Sequence, residues 1–366
     1  MKMISRIIIA AGGTGGHIFP AIAVADELKK INENVDIQFI GAKGKIEEEI
    51  IPKRGYKLKT IEVRGFRRSV SLDNLNVILK LRKAIKESKK LLIEFKPEIV
   101  LGTGGFVSGP VLWASQKLGI PTVIVEGNSY PGVTVRLLSK RIDKVILNFE
   151  SSKNYLKRQD NIEIISYPVR ENLKRYSKAE ACNYFKLVEN KKVLFILGGS
   201  QGANTINTVI LDNYDKLISQ EIQIIWQTGQ KDYDKIVNMT NGLSGIKAVK
   251  FIDNIDMAYS AADLIVCRSG ISTVMELAYF GAASIFVPYA FAAENHQEKN
   301  ARAIVEAKGA EMILDKDINT QLTEKIISLI IDDERLAEMR NKISQFADGN
   351  AATIIVELLN KTAKLN

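Results

Sequence analysis

The chain has 366 residues, 46% of them hydrophobic and 25% charged, enough apolar material for two cores of ordinary size and too much for a disordered chain. Its formal net charge of +9 is one-sided: residues 1–167 hold 28 Lys and Arg against 17 Asp and Glu, and the rest hold 23 against 25. No run approaches the roughly 20 apolar residues of a membrane span, and Cys182 and Cys267 give neither a metal spacing nor a disulfide framework, so a cytoplasmic protein is expected.

In chain order, Met1 to Ala11 has a basic start and an apolar stretch. Arg6 interrupts it and a glycine turn follows at once, which fits a first β-strand better than a secretory signal. Runs rich in Ile and Val then recur at Ile7 to Ala11, Val35 to Ile40, Ile99 to Leu101, Thr122 to Val125 and Lys144 to Leu147. A second series follows at Val193 to Leu197, Ile222 to Gln227, Lys247 to Phe251, Leu264 to Cys267 and Ser284 to Val287. Continuous apolar runs separated by helical spacers predict parallel strands covered on both faces, hence an α/β fold with two Rossmann-like, doubly wound domains. Pro168 biases Tyr167 away from helix and marks the crossing between them. The expected division is residues 1–167, residues 168–348, and a terminal segment 349–366. In that segment Ile354, Ile355, Leu358 and Leu359 have the spacing of an amphipathic helix that packs back on the first domain.

Three glycine clusters follow apolar runs: GGTGGH ending at His17, GTGGFVSGP ending at Pro110, and GGSQGA ending at Ala203. Each is expected to place first-turn amides at a helix start, where partners are lacking and the macrodipole is positive, so each suits an anion such as a phosphate. The simpler alternative is that the glycines only allow tight turns. GGTGGH lacks the last glycine of a dinucleotide fingerprint, since position 18 is Ile18, and neither GGTGGH nor GGSQGA is followed by the Gly-Lys-Ser/Thr of a P-loop. Ligand chemistry is expected in a cleft between the two domains.

His17 stands at the start of a helix opened by Pro20. It either caps or packs there, or serves as a base, because the positive helix end favours the neutral imidazole that accepts a proton. His296, in ENHQEKNA, reads equally as a surface loop residue. The stretch from Asp263 to Gly281 reads as strand, an Arg268-Ser269-Gly270 turn, then helix. Its turn suits a second phosphate, and Glu276 is either a surface glutamate or an acceptor for two adjacent ribose hydroxyls. Gln297 and Asn300, three apart on a helix start, face one direction and suit the hydroxyls of a sugar. Asp-x-Asp occurs at Asp232/Asp234 and Asp315/Asp317, where caps are expected, and no essential protein-bound metal is expected.

Together these segments resemble the MurG-type GT-B glycosyltransferases of family 28. The resemblance runs through GGTGGHIFPA at 12–21, GTGGFVSGP at 102–110, EGNSYPG at 126–132, YPVR at 167–170, GGSQGA at 198–203, FIDNI at 251–255, CRSGISTVMEL at 267–277 and NHQEKNA at 295–301. It implies inverting transfer of N-acetylglucosamine from UDP-N-acetylglucosamine to undecaprenyl-pyrophosphoryl-N-acetylmuramoyl-pentapeptide. It thereby implies a part in peptidoglycan synthesis, cell shape and division. By the resemblance, the Ile252 backbone reads uracil, Glu276 holds the ribose, Ser200 with Ile271, Ser272 and Thr273 holds the diphosphate, and Arg170 and Arg268 add positive charge. Gln297 and Asn300 hold the sugar. Thr14, Gly15 and Gly16 lie beside the acceptor pyrophosphate or the donor sugar, Glu126 and Asn128 line the cleft, and the catalytic candidates are Glu126 and His17, with His17 as the base. Ser129-Tyr130 and Phe106 depart from the commoner family pattern, Phe106 by lacking a tyrosine hydroxyl.

Between Arg64 and Lys96 lie ten Lys and Arg and three Asp and Glu, interleaved with Leu and Ile. Such a segment either presents an ordinary solvated basic face or lies on anionic lipid; the lipid-linked acceptor favours the second, and with it a peripheral protein on the cytoplasmic face of the cell membrane. Nucleic acid is not expected, because the segment offers only Phe66 and Phe95 for stacking. Two rival readings are a sugar-nucleotide epimerase on the same fold and a catalytically silent phosphate-binding or membrane-surface protein.

Overall fold

The computed structural model of the chain describes residues 3–63, 73–170, 173–199 and 202–363, those at 73–78 by backbone alone. The chain divides into two compact units, Met1–Glu171 with Asp348–Asn366, and Asn172–Ala347.

The first unit is built on a parallel sheet of β1 (Arg6–Ala10), β2 (Asp36–Ala42), β3 (Lys57–Ile61), β4 (Ile99–Gly102), β5 (Thr122–Glu126), β6 (Lys144–Leu147) and β7 (Ile162–Ile164), in the order β3-β2-β1-β4-β5-β6-β7. Ile7, Ile8 and Ile9 are all fully buried, as a central strand covered on both faces requires. The order reverses direction between β1 and β4, where Ala10 lies in register with Gly102, so the first two glycine clusters leave the sheet side by side. That is the switch point at which open α/β sheets bind ligands.

The second unit repeats the plan with β8 (Val193–Leu197), β9 (Gln223–Gln227), β10 (Ile246–Val249), β11 (Leu264–Cys267), β12 (Ser284–Phe286) and β13 (Glu311–Met312), all parallel, in the order β10-β9-β8-β11-β12-β13. Leu197 is in register with Cys267, which sets Gly198, the first residue of the GGSQGA segment, beside the Arg268-Ser269-Gly270 turn at the second switch point. Leu194, Ile196, Trp226 and Val266 on the sheet pack with Ile206 and Ile210 of helix Asn204–Ser219 and with Leu322 and Ile326 of helix Ile318–Ile330.

Three strands were not expected from the sequence. Each lies at or next to a sheet edge and lacks a buried apolar run: β3 reads Lys-Leu-Lys-Thr-Ile with one buried residue, β7 has none and β13 is two residues long. The terminal segment forms helix Ala351–Ala363, which lies on helix Gly15–Ile31 of the first unit with Ile355 and Leu359 buried. Thr353 donates to Glu27 at 2.8 Å, and Asn360 accepts from the Ile4 amide at 2.9 Å. No helix among the described residues is long and apolar enough to cross a membrane.

Candidate active site

In the first unit, helix Gly15–Ile31 begins directly at the glycine turn, with Thr14 at its N-cap and Gly15, Gly16 and His17 in its first turn. The expectation that Pro20 opens this helix is corrected, because Pro20 lies inside it. A proline at that place has no N–H for the carbonyl four residues back. The Tyr167 hydroxyl takes the position, donating to the Gly16 carbonyl at 2.5 Å. Burial, and secondarily the charge of Glu126, push the Tyr167 pKa up, so the hydroxyl keeps the proton that it donates. Arg170 lies with its guanidinium 5.6 Å from the centroid of the Phe19 ring on the same helix.

The His17 ring is held by the neighbouring cluster. Its Nδ1 lies 3.1 Å from the Thr103 carbonyl, while the Thr103 hydroxyl donates to the His17 carbonyl at 2.7 Å. A carbonyl only accepts, so Nδ1 carries the hydrogen and the basic lone pair is on Nε2. The two turns touch so closely that a Cβ at Gly105 would collide with the Gly12 carbonyl, and Gly105 has φ +76°. Only glycine fits both demands.

At the end of β5, Glu126 is 7% exposed and spends both oxygens on its own loop. Oε1 accepts from the Asn128 amide and from Asn128 Nδ2, each at 2.9 Å, and Oε2 accepts from the Gly132 amide at 2.7 Å. Glu126 therefore shapes the loop that carries Asn128. Phe106, at the start of helix Gly105–Lys117, is 63% exposed.

In the second unit, Ser200 lies outside the described residues. Ile252 is buried, and its amide donates to Gln227 Oε1 at 2.9 Å. Ile271, Ser272 and Thr273 form the first turn of helix Ile271–Phe280, and Ser272 Oγ is buried with no hydrogen-bond partner among the described residues. One turn further on, Glu276 is 6% exposed and accepts from the Tyr259 hydroxyl at 2.8 Å, so it is no surface glutamate. Asn300 is fully buried and its Nδ2 points to the Ser269 carbonyl at 3.4 Å; Gln297 accepts from the Tyr289 amide at 2.9 Å. Helix His296–Glu306 thus meets the Ser269 turn through the Asn300 amide and through the Gln297 backbone carbonyl, which accepts from Ser269 Oγ at 2.9 Å. Among the described residues, His296 closes on its own turn, through the Ala293 carbonyl at 2.7 Å.

Arg268 is committed to protein partners. Nη1 reaches Asp315 at 2.7 Å and the carbonyls of Val287 and Pro288, and Nη2 donates to Thr205 at 2.8 Å. The capping expected of the aspartate pairs is also corrected. Asp232 and Asp317 stand at N-cap positions without a side-chain cap bond, and Asp315 is spent on Arg268. Asp232 instead accepts from Asn207 at 2.7 Å and Asn204 at 3.3 Å, because these amides on helix Asn204–Ser219 reach it first. Thr103 and Tyr167 were given no role in the sequence reading, and Asp315 only that of a cap: each lies inside or beside a recognised motif, but its partner is remote in the chain and no local spacing announces it.

The Glycosyltransferase family 28 N-terminal domain matches residues 7–147, and the Glycosyltransferase family 28 C-terminal domain matches residues 193–353. A relative from Flavobacterium psychrophilum is 41% identical over 358 residues, 97% of each chain, and is named UDP-N-acetylglucosamine–N-acetylmuramyl-(pentapeptide) pyrophosphoryl-undecaprenol N-acetylglucosamine transferase. The chain belongs to the family 28 glycosyltransferases. The crystal structure of Acinetobacter baumannii MurG superposes with a TM-score of 0.78 at 25% identity, covering 98% of this chain and 99% of that one. The UDP-GlcNAc 2-epimerase of Neisseria meningitidis also superposes, with a TM-score of 0.69 at 18% identity over 97% and 100% of the two chains, and shares the fold. In this family 28 chain, the two glycine turns of each unit therefore sit on the scaffold that such glycosyltransferases use.

Proposed function

We propose that this glycosyltransferase moves N-acetylglucosamine from UDP-N-acetylglucosamine to an undecaprenyl-pyrophosphoryl muramyl pentapeptide. The observation that carries this reading is the 41% identity to a transferase of that name along 97% of both chains, and the chemistry of both units agrees with it. In the second unit, Glu276 offers a buried carboxylate for ribose hydroxyls, and the Ile252 carbonyl is the backbone group that would read uracil. The first turn at Ile271–Thr273, with Ser200, would take the diphosphate. The unpartnered Ser272 hydroxyl supports that assignment, since a buried polar group left unbonded is costly. Gln297 and Asn300 would hold the sugar. Arg268, tied to Asp315, would act chiefly by fixing the turn. In the first unit, Thr14, Gly15 and Gly16 would meet the acceptor pyrophosphate or the donor sugar, with Asn128 oriented by Glu126 and Arg170 adding positive charge.

The acceptor hydroxyl attacks the anomeric carbon as the bond to the diphosphate breaks, and its electron pair leaves with UDP. The hydroxyl proton passes to His17 Nε2. Attack opposite the leaving group inverts the centre. Preorganised amides at the glycine turns stabilise the charge that develops on phosphate, and no protein-bound metal is invoked. The enzyme would serve peptidoglycan synthesis, and through it cell shape and division, from the cytoplasmic face of the membrane. Its surface contact would be the basic apolar segment 64–96, of which residues 64–72 and the side chains of 73–78 lie outside the described residues.

UDP release from UDP-N-acetylglucosamine, measured with and without a polyprenyl-pyrophosphoryl muramyl peptide, tests the reading. Release that depends on the acceptor supports it. Epimerised UDP-sugar formed without acceptor would establish the epimerase instead, and no turnover with either would leave only a binding protein.

A further inference from the structure

Glu47 opens helix Glu47–Lys53 and is fully buried, whereas its neighbours Glu48 and Glu49 are exposed. Its carboxylate lies beneath the GGTGGH turn. Oε1 accepts from the Ala42 amide at 2.8 Å, and the Gly13 amide is shared between Oε1 at 3.2 Å and Oε2 at 3.1 Å. Among the described residues no cation pairs with it. A buried carboxylate held by amides alone is costly to place, and a salt bridge does not account for it. The surrounding backbone is cleared for this side chain: a Cβ at Gly12 would collide with Oε1, and one at Gly41 would sit 2.7 Å from Cγ.

We propose that Glu47 is a positioning residue for glycosyl transfer, acting on the substrates through the Gly12–Gly16 backbone. By holding the Gly13 amide inward it assigns anion contact to the first-turn amides of helix Gly15–Ile31 and sets the rotation of that turn, on which His17 rides. The proposal rests on the transferase reading. It concerns only the first unit, so the UDP contacts assigned to the second unit are expected to be untouched by its loss.

Glu47→Gln keeps the shape but aims an NH2 group at a backbone donor, and Glu47→Asp keeps the charge but withdraws it by one methylene. In the full-length enzyme, E47Q is expected to lower kcat roughly ten- to hundredfold, the scale of an ångström-level misplacement. UDP affinity by calorimetry should stay within about twofold, and E47D should recover part of the lost kcat. Hydrogen exchange of the peptide spanning residues 12–18 should quicken in E47Q while peptides of the central strands do not change. A kcat for E47Q within about twofold of wild type overturns the proposal, as does a loss of UDP affinity and of protection throughout the chain. If neither variant folds, exchange of the Gly13 amide in the wild-type protein decides: protection supports the contact with Glu47, and exchange at the rate of an open amide overturns it. Absence of acceptor-dependent UDP release from wild type would refute the transferase reading, while the exchange measurement would still report on Glu47.

Discussion

The His17 ring is oriented by the Thr103 carbonyl, which as an acceptor places the hydrogen on Nδ1 and leaves Nε2 for the proposed role of base. Replacing His17 with Ala is expected to lower turnover at saturating donor by about 10²–10⁴-fold, the usual range for a positioned base. A change of less than severalfold would remove it from that role. The candidate residues could be picked out of the sequence because the glycine turns, Glu276 and the paired amides Gln297 and Asn300 lie in contiguous motifs. Their partners could not. Glu47 sits in a run of three glutamates to which the sequence reading gave no role, and only the fold shows that the first of them turns inward. Arg268 likewise reads as a phosphate ligand until Asp315, far along the chain, is found against it.

At the level of elements, the interior strands were readable from continuous Ile and Val runs because both faces are covered. The edge strands β3, β7 and β13 escaped because their stability comes from backbone pairing with a neighbour, which leaves no apolar signature. The helix bearing His17 holds a second lesson. Pro20 leaves the Gly16 carbonyl without its helical donor, and a tyrosine from the stretch after β7 supplies one. Tyr167→Phe preserves the ring packing and deletes this single donor. It is expected to lower stability by about 1 kcal/mol, measured by the midpoint of urea unfolding at unchanged slope. An unchanged midpoint would mean that another donor reaches Gly16.

For the whole molecule, the charge excess of the first 167 residues is a property of composition that strand and helix assignments leave unused. Among the described residues of helix Asp73–Phe95, Leu79 and Ile93 are exposed, while Lys83 and Lys90 pair with Glu87 and Glu94 on the same helix. Sedimentation with vesicles containing anionic lipid is expected to capture the protein at low salt and to release most of it at about 1 M salt, where screening length falls to about 3 Å. Equal capture by neutral vesicles would assign the contact to apolar side chains alone.

The return of helix Ala351–Ala363 to the first unit makes Asn172–Ala347 an insertion within it. During synthesis the ribosome therefore delivers a first unit with the flank of helix Gly15–Ile31 uncovered, then an entire second unit, and only afterwards the segment that covers that flank. A nascent chain that stops short of residue 351 would leave the flank of helix Gly15–Ile31 that meets Ile355 and Leu359 open to water, so the oldest part of the fold is completed last.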